Sequence, residues 1–135
     1  MVNTLLNILE DKSSNTGLQG LVELLFKAQN ETHITHILQR KKLLCEHTAL
    51  ATFYEEIDPL IDSLAETCMA HGLINNITIP VSKEIMDTEN YFVILYNEVE
   101  KYRKDVSNYS FLNNKIDEVQ ELISQTLYRL KFIKS

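Results

Sequence analysis

Histidines and carboxylates recur at helical spacing within one stretch of the sequence, between residues 33 and 72. This stretch contains all four histidines and both cysteines of the chain. From position 47 onward, residues at three- and four-residue steps would form one stripe on a helix. Because imidazole and carboxylate groups are common metal ligands, this stripe is either a metal-binding surface or a solvated face. The stripe reads His47, Ala51, Glu55, Asp58, Asp62 and Glu66.

A single chain cannot bring the two ends of this stripe to one metal ion. His47 and Asp62 are fifteen residues apart, which is about 22 Å along a helix axis, whereas ligands lie about 2 Å from a bound ion. Two copies of the helix, antiparallel about a two-fold axis, would place each His47 near Asp62 and Glu66 of the other copy. Asp62 and Glu66 are four residues apart and would face the same side. His36 or His33, near the end of the preceding helix, would add a second imidazole.

Apolar residues at helical spacing predict four long helices that position these side chains. The predicted helices run from 16 or 17 to 39–42, from 43 to 71, from 82 or 88 to about 106, and from 111 to 133. Ser82 or Thr88 is the predicted cap of the third helix. Gly72 is the predicted stop of the second. The apolar stripes assigned to the core include Ile37, Leu44, Met86 and Phe132.

The connections between these helices are short, long and short, which predicts how the helices are arranged. Such a chain is expected to be an all-α, ferritin-like four-helix bundle with one long crossover between helices 2 and 3. At 135 residues it is the size of one domain, over residues 1–135. Residues 1–16 are predicted to form an N-terminal arm or a short helix.

Composition and charge disfavour several functional classes. The formal net charge of −6 argues against binding nucleic acid through a basic surface. No segment approaches the ~20 apolar residues that a membrane span needs, and residues 1–9 lack the features of a signal peptide. We therefore predict a cytoplasmic protein that binds neither DNA nor a membrane. Cys45 and Cys68 form no C-x-x-C pair and are expected to be small, buried hydrophobic residues.

The run HTALATFYEEIDPLIDSLAETCMAHG resembles the second helix of the Dps family, the small ferritin-like ferroxidases. That family places a histidine fifteen residues before an aspartate, with a glutamate four residues further on. The matching positions here are His47, Asp62 and Glu66. The family's other histidine lies twelve residues before this one, at Thr35 in this chain, and His36 is one residue away.

The resemblance implies an iron site shared between two subunits. His36 and His47 of one subunit, with Asp62 and Glu66 of its partner, would bind iron and oxidise Fe(II) to Fe(III), and His33 is a further candidate ligand. The patterns T-H-x-x-H and E-H-x-A-L are also similar to those of short, uncharacterised Dps-like proteins of tailed bacteriophages. A phage protein of this kind would act in the host cytoplasm.

The chain departs from the family pattern at positions that bear on function. The family carries a further carboxylate where this chain has Ala51, and a tryptophan where it has Ile37. Residues 73–81 are too short for the family's small helix at the two-fold axis. Two functions therefore remain open: an iron-binding homodimer or larger homo-oligomer, and a non-catalytic, phage-type helical-bundle dimer that binds a protein partner. Whether the chain is an enzyme is left open, and Glu55, Glu56 and Asp58 are predicted to be solvated.

Overall fold

The computed structural model describes residues 17–39 and 43–133 of the chain. Within these residues it contains four α-helices and no β-strand, which confirms the all-α prediction there. The predicted N-terminal arm and the turn at residues 40–42 lie outside this part of the chain. The helices are α1 (Gly17–Leu38), α2 (Leu44–Ala70), α3 (Thr88–Glu100) and α4 (Ser110–Phe132), with a 3-10 turn at Arg103–Val106 before α4.

The connection between α2 and α3 runs along the length of α1. The Thr78 N–H donates to the Glu23 carboxylate (2.7 Å), and the Ile85 N–H donates to Thr35 Oγ1 (2.8 Å), twelve residues further along α1. In the bundle, α1 packs on α2, α2 packs on α4, and α4 packs on α3. The connection therefore carries the chain from one end of the bundle to the other before α3 begins.

Contacts at the helix ends fix the helix directions. α2 and α3 begin side by side, because Thr88 Oγ1 at the start of α3 donates to the Glu46 carboxylate near the start of α2 (2.6 Å). Just beyond the end of α3, the Tyr102 hydroxyl lies against Gly20 near the start of α1, where an added Cβ would lie 2.8 Å from it. α3 therefore runs parallel to α2 and antiparallel to α1.

Apolar side chains from all four helices meet in one core. Phe53 of α2 and Phe92 of α3 are fully buried and meet edge to face, with ring centroids 4.9 Å apart. Burying an aliphatic or aromatic side chain of this size contributes about 1.5–3 kcal/mol relative to leaving it exposed. The largest fully buried side chains are Phe53, Phe92, Leu18, Leu21, Leu25, Leu50, Ile57, Ile61, Leu64, Ile74, Leu112 and Ile116.

The predicted cap and end of the third helix are wrong. The cap is Asp87, whose carboxylate accepts the Asn90 N–H (3.1 Å), since an acceptor side chain at this position satisfies a free donor of the first turn. Thr88 is instead the buried first residue of α3. The helix ends at Glu100 rather than near Val106. The predicted stop of α2 is confirmed, because Gly72 follows the helix with a positive φ of 67°.

Four residues assigned to the core lie on the surface instead. Ile37 is 64% exposed, Leu44 71%, Phe132 66% and Met86 87%. Three of them occupy the first or last turn of a helix, where the neighbouring helix no longer covers them, and Met86 lies before α3 begins. Apolar residues at helical spacing continue past the part of each helix that its neighbours cover. Spacing alone therefore assigned these four residues to the core wrongly.

Candidate functional site

Three of the four histidines lie together where the end of α1 meets the start of α2. The imidazole rings of His36 and His47 stack with centroids 3.7 Å apart and planes 17° apart. His33 stacks on Tyr54 of α2 at 4.1 Å, and the edge of the same tyrosine contacts His36 at 5.4 Å. The structure thus joins these side chains into one aromatic cluster across the seam between α1 and α2.

A backbone carbonyl selects the tautomer of the neutral His36 ring. His36 Nδ1 lies 2.9 Å from the carbonyl oxygen of His47. A carbonyl oxygen only accepts, so Nδ1–H is the donor, and in the neutral ring the lone pair is then on Nε2. A hydrogen bond of this kind commonly orients an imidazole that binds a metal through its other nitrogen. His36 can therefore accept a hydrogen bond or bind a cation through Nε2.

Thr35 and His36, the two adjacent positions compared with the Dps histidine, face different neighbours in the structure. Thr35 is 2% exposed; its hydroxyl donates to the Glu31 carbonyl (2.7 Å) and accepts the Ile85 N–H (2.8 Å). Position 35 therefore faces the crossover connection. His36 faces α2 instead, and it is the position of the two that reaches His47.

The two predicted carboxylate ligands lie on α2, far from the histidine pair. Asp62 and Glu66 are exposed, and within residues 17–39 and 43–133 neither carboxylate makes a hydrogen bond or an ion pair. In the same ranges, no group of three or more His, Cys, Asp or Glu side chains could hold a metal ion. Each chain therefore presents the imidazole pair and the carboxylate pair at two separate places along α2.

The stacked geometry of His36 and His47 also limits how the pair could bind an ion. The nitrogen lone pairs of an imidazole lie in the plane of its ring. Two rings that face each other at 3.7 Å do not aim their lone pairs at one point between them. Binding one ion through both side chains would require one ring to turn out of the stack.

Gln29 of α1 ties the histidine cluster to the middle of α2. Its amide donates to the Tyr54 carbonyl (3.2 Å) and to the Asp58 carboxylate (2.8 Å). Asp58, Glu55 and Glu56 are exposed, which confirms the prediction that they are solvated. The fourth histidine, His71, follows the other end of α2, where its ring contacts Tyr109 (5.8 Å) and Phe111 (5.2 Å).

A buried polar group on α1 was missed in the sequence. Glu31 is 4% exposed; its carboxylate accepts the Tyr91 hydroxyl (2.9 Å) and the Lys83 N–H (3.2 Å). Burial and the nearby Glu31 charge raise the pKa of Tyr91 well above its usual value. A signal was present, because the apolar stripe of α1 continues after Ala28 with Glu31, Thr32 and Thr35 at the same helical positions.

The two cysteines differ in their surroundings. Cys68 is fully buried in the core, and burial raises the pKa of its thiol to about 11. Cys45 is half-buried near the start of α2, and both thiols are free. The prediction of a small buried hydrophobic residue is therefore confirmed for Cys68 and holds only partly for Cys45.

The described part of the chain is an all-helical protein with a histidine pair at one end of its α1–α2 seam. Residues 40–130 match DUF5856, described as a family of unknown function. This match covers about two thirds of the chain, so the chain belongs to that family. The matched range contains His47, Asp62 and Glu66 but not α1, which carries His36. No curated protein and no solved structure matches the chain, and no described helix has the length and apolar content to cross a membrane.

Proposed function

We propose that the chain is a ferritin-like, Dps-like protein that binds iron at a site shared by two copies in a homodimer or a larger homo-oligomer. His36 and His47 of one subunit form one half of the site, and Asp62 and Glu66 of the partner subunit form the other. The observation that carries this proposal is the pairing of His36 with His47, in which Nδ1 of His36 faces the His47 carbonyl and Nε2 is the nitrogen available to a metal ion.

The donor set fits Fe(II) as a substrate ion. Two imidazole nitrogens and two carboxylate groups resemble the mixed histidine and carboxylate sets that bind non-haem iron. The exposed Asp62 and Glu66 have no competing partner among the described residues, so both remain available to a second copy. Their negative charge favours the more highly charged Fe(III) product over Fe(II). Ferroxidase activity with dioxygen is therefore the reaction that we assign to this site.

Aerobic titration with Fe(II) tests the proposal. The wild-type protein is expected to accelerate growth of the near-ultraviolet ferric absorbance above that of buffer, and His47→Ala is expected to lose this acceleration. His71→Ala is the matched control, because His71 lies at the opposite end of α2. Equal rates for wild type, His47→Ala and buffer would overturn the iron-binding function.

A second candidate is a non-catalytic helical-bundle dimer, of the type encoded by phages, that binds a protein partner. It is supported by the face-to-face stacking of His36 and His47 and by apolar side chains exposed at the same end of the bundle. Ile37, Leu44 and Phe132 are each more than half exposed there, and exposed apolar patches commonly mark interaction sites. A metal ion seen by anomalous scattering between His47 and Asp62 of the partner subunit would exclude this candidate.

A further inference from the structure

An open groove lies between α2 and α4, away from the histidine cluster. Its volume is about 450 Å³, and its floor is apolar, formed by Pro59 and Leu60 of α2 and by Leu122 of α4. Pockets of this size accommodate several side chains of a bound molecule. None of the proposed iron ligands lines the groove.

Carboxylates surround this apolar floor on both sides. Glu55 and Glu56 lie on the α2 side, and Glu118 and Glu121 lie on the α4 side. Glu118 is paired with Lys115 one turn earlier (3.4 Å). The carboxylates of the other three make no hydrogen bond or ion pair within the described residues. Among the described residues no lysine or arginine lines the groove, so most of the negative charge on its rim is not neutralised there.

Pro59 also alters the backbone hydrogen bonding of α2 beside the groove. Pro59 lies inside the helix and has no N–H, so it cannot donate to the carbonyl of Glu55, four residues earlier. Glu55 and Pro59 both line the groove. The groove therefore combines an apolar floor with carboxylate acceptors, and the side-chain amide of Gln125 also lines it.

We propose that this groove binds a basic, amphipathic helical segment of a partner protein. Leucine-like side chains of the segment occupy the apolar floor, and its lysines or arginines contact the glutamates of the rim. The partner is a different protein rather than a second copy seated groove to groove, because a two-fold contact at this place would bring the same glutamates against each other. The apolar floor favours a peptide segment over a bare divalent cation, which needs only oxygen ligands.

This inference rests on the second candidate function, and it names the chemistry of the protein partner. It does not depend on the iron site. Its test is a fluorescence anisotropy titration with a labelled amphipathic peptide made only of leucine and lysine. We expect saturable binding that weakens as salt is added. Glu121→Lys, an exposed change on the rim, is expected to weaken binding about tenfold. Glu84→Lys is the matched control, because Glu84 is also exposed but lies outside the groove, and it is expected to leave binding within about twofold.

Several outcomes would overturn the proposal. One is the absence of saturable binding by the wild-type protein, and another is equal weakening by Glu121→Lys and Glu84→Lys. Equal binding of a control peptide with serine in place of leucine would show charge attraction alone. Displacement of the peptide by Mg²⁺ at constant ionic strength would indicate a cation site, and dissociation of a wild-type dimer by Glu121→Lys would indicate a second copy. The first four results leave the Fe(II) titration unaffected, and for the fifth the titration of the wild-type protein tests the iron site independently, so the two proposals fail separately.

Discussion

At the scale of single residues, Glu31 explains how a long connection without regular secondary structure is held in place. Its carboxylate accepts the Lys83 N–H from the connection and the Tyr91 hydroxyl from α3. A carboxylate that is only 4% exposed is costly to bury unless such donors satisfy it. Glu31 therefore joins α1, the connection and α3, and the stability of the protein depends on both donors.

Tyr91→Phe is expected to lower the free energy of unfolding by about 1–3 kcal/mol, because it removes a donor and leaves the buried Glu31 carboxylate less satisfied. Urea unfolding followed by circular dichroism would measure the change. Tyr128→Phe is the matched control, since Tyr128 is 57% exposed and its loss should leave the midpoint unchanged. An unchanged midpoint for Tyr91→Phe would show that the hydrogen bond to Glu31 contributes nothing to stability.

Burial of Cys68 makes stability depend on pH in the alkaline range. Burial raises the pKa of its thiol from 9.0 in the unfolded chain to about 11 in the folded protein. Between these pH values the unfolded state binds fewer protons than the folded state. The stability that the protonated thiol contributes is therefore complete below about pH 9 and falls progressively up to about pH 11. The total loss is about 3 kcal/mol, because each of the two pKa units corresponds to about 1.4 kcal/mol. Urea unfolding across this interval should show a shallower decline for Cys68→Ala, whereas Cys45→Ala should follow the wild-type decline.

At the scale of helices, the number and type of elements were readable because apolar periodicity persists over whole helices. The predicted starts and ends of α1, α2 and α4 differ from the observed ones by a few residues at most. The inner face of α1 was less readable, since its last turns bury Thr32 and Thr35 and expose Ile37. The Thr32 hydroxyl bonds to the Ala28 carbonyl of α1 itself (2.8 Å). The crossover connection supplies a partner for Thr35, the Ile85 N–H, and spacing alone does not reveal a partner so distant in sequence.

Arg103 links the end of α3 to the first turns of α4. Its guanidinium donates to Asn113 Oδ1 (2.7 Å) and Asp117 Oδ1 (2.7 Å) of α4, to the Gln120 side chain, and to Glu100 (3.3 Å) at the end of α3. A hydrogen bond from Gln120, and then the one from Arg103, lower the pKa of Glu100. One side chain therefore ties the 3-10 turn to both adjacent helices.

Arg103→Ala is expected to destabilise the protein by about 1 kcal/mol, a modest loss because the ion pairs are partly exposed and screened by solvent. Arg103→Lys should recover less than half of this loss, since an ammonium group cannot reproduce the planar fork of donors. Thermal unfolding at low and moderate salt would measure both changes. Lys104→Ala, at the exposed neighbouring position, should unfold as wild type does; equal effects of the two alanine variants would contradict this role for Arg103.

At the scale of the whole molecule, the sequence predicted which residues meet within a chain better than it could predict what they bind. His36 and His47 do meet, because α2 begins beside the end of α1 and runs antiparallel to it. The stacking of their rings could not be predicted, since it depends on Tyr54 and on the His47 carbonyl. The pairing of His47 with Asp62 and Glu66 requires a second copy, and it remains a prediction.

Mixing two inactive variants tests whether the proposed iron site is shared between subunits. His47→Ala lacks the imidazole half, and the double variant Asp62→Ala, Glu66→Ala lacks the carboxylate half, so each homodimer contains no complete site. After joint unfolding and refolding at equal concentrations, half of the dimers are mixed, and each mixed dimer has one intact site of two. Ferric absorbance growth should therefore return to about one quarter of the wild-type rate. If each site belonged to one chain, mixing would restore nothing, because every chain would still lack one half.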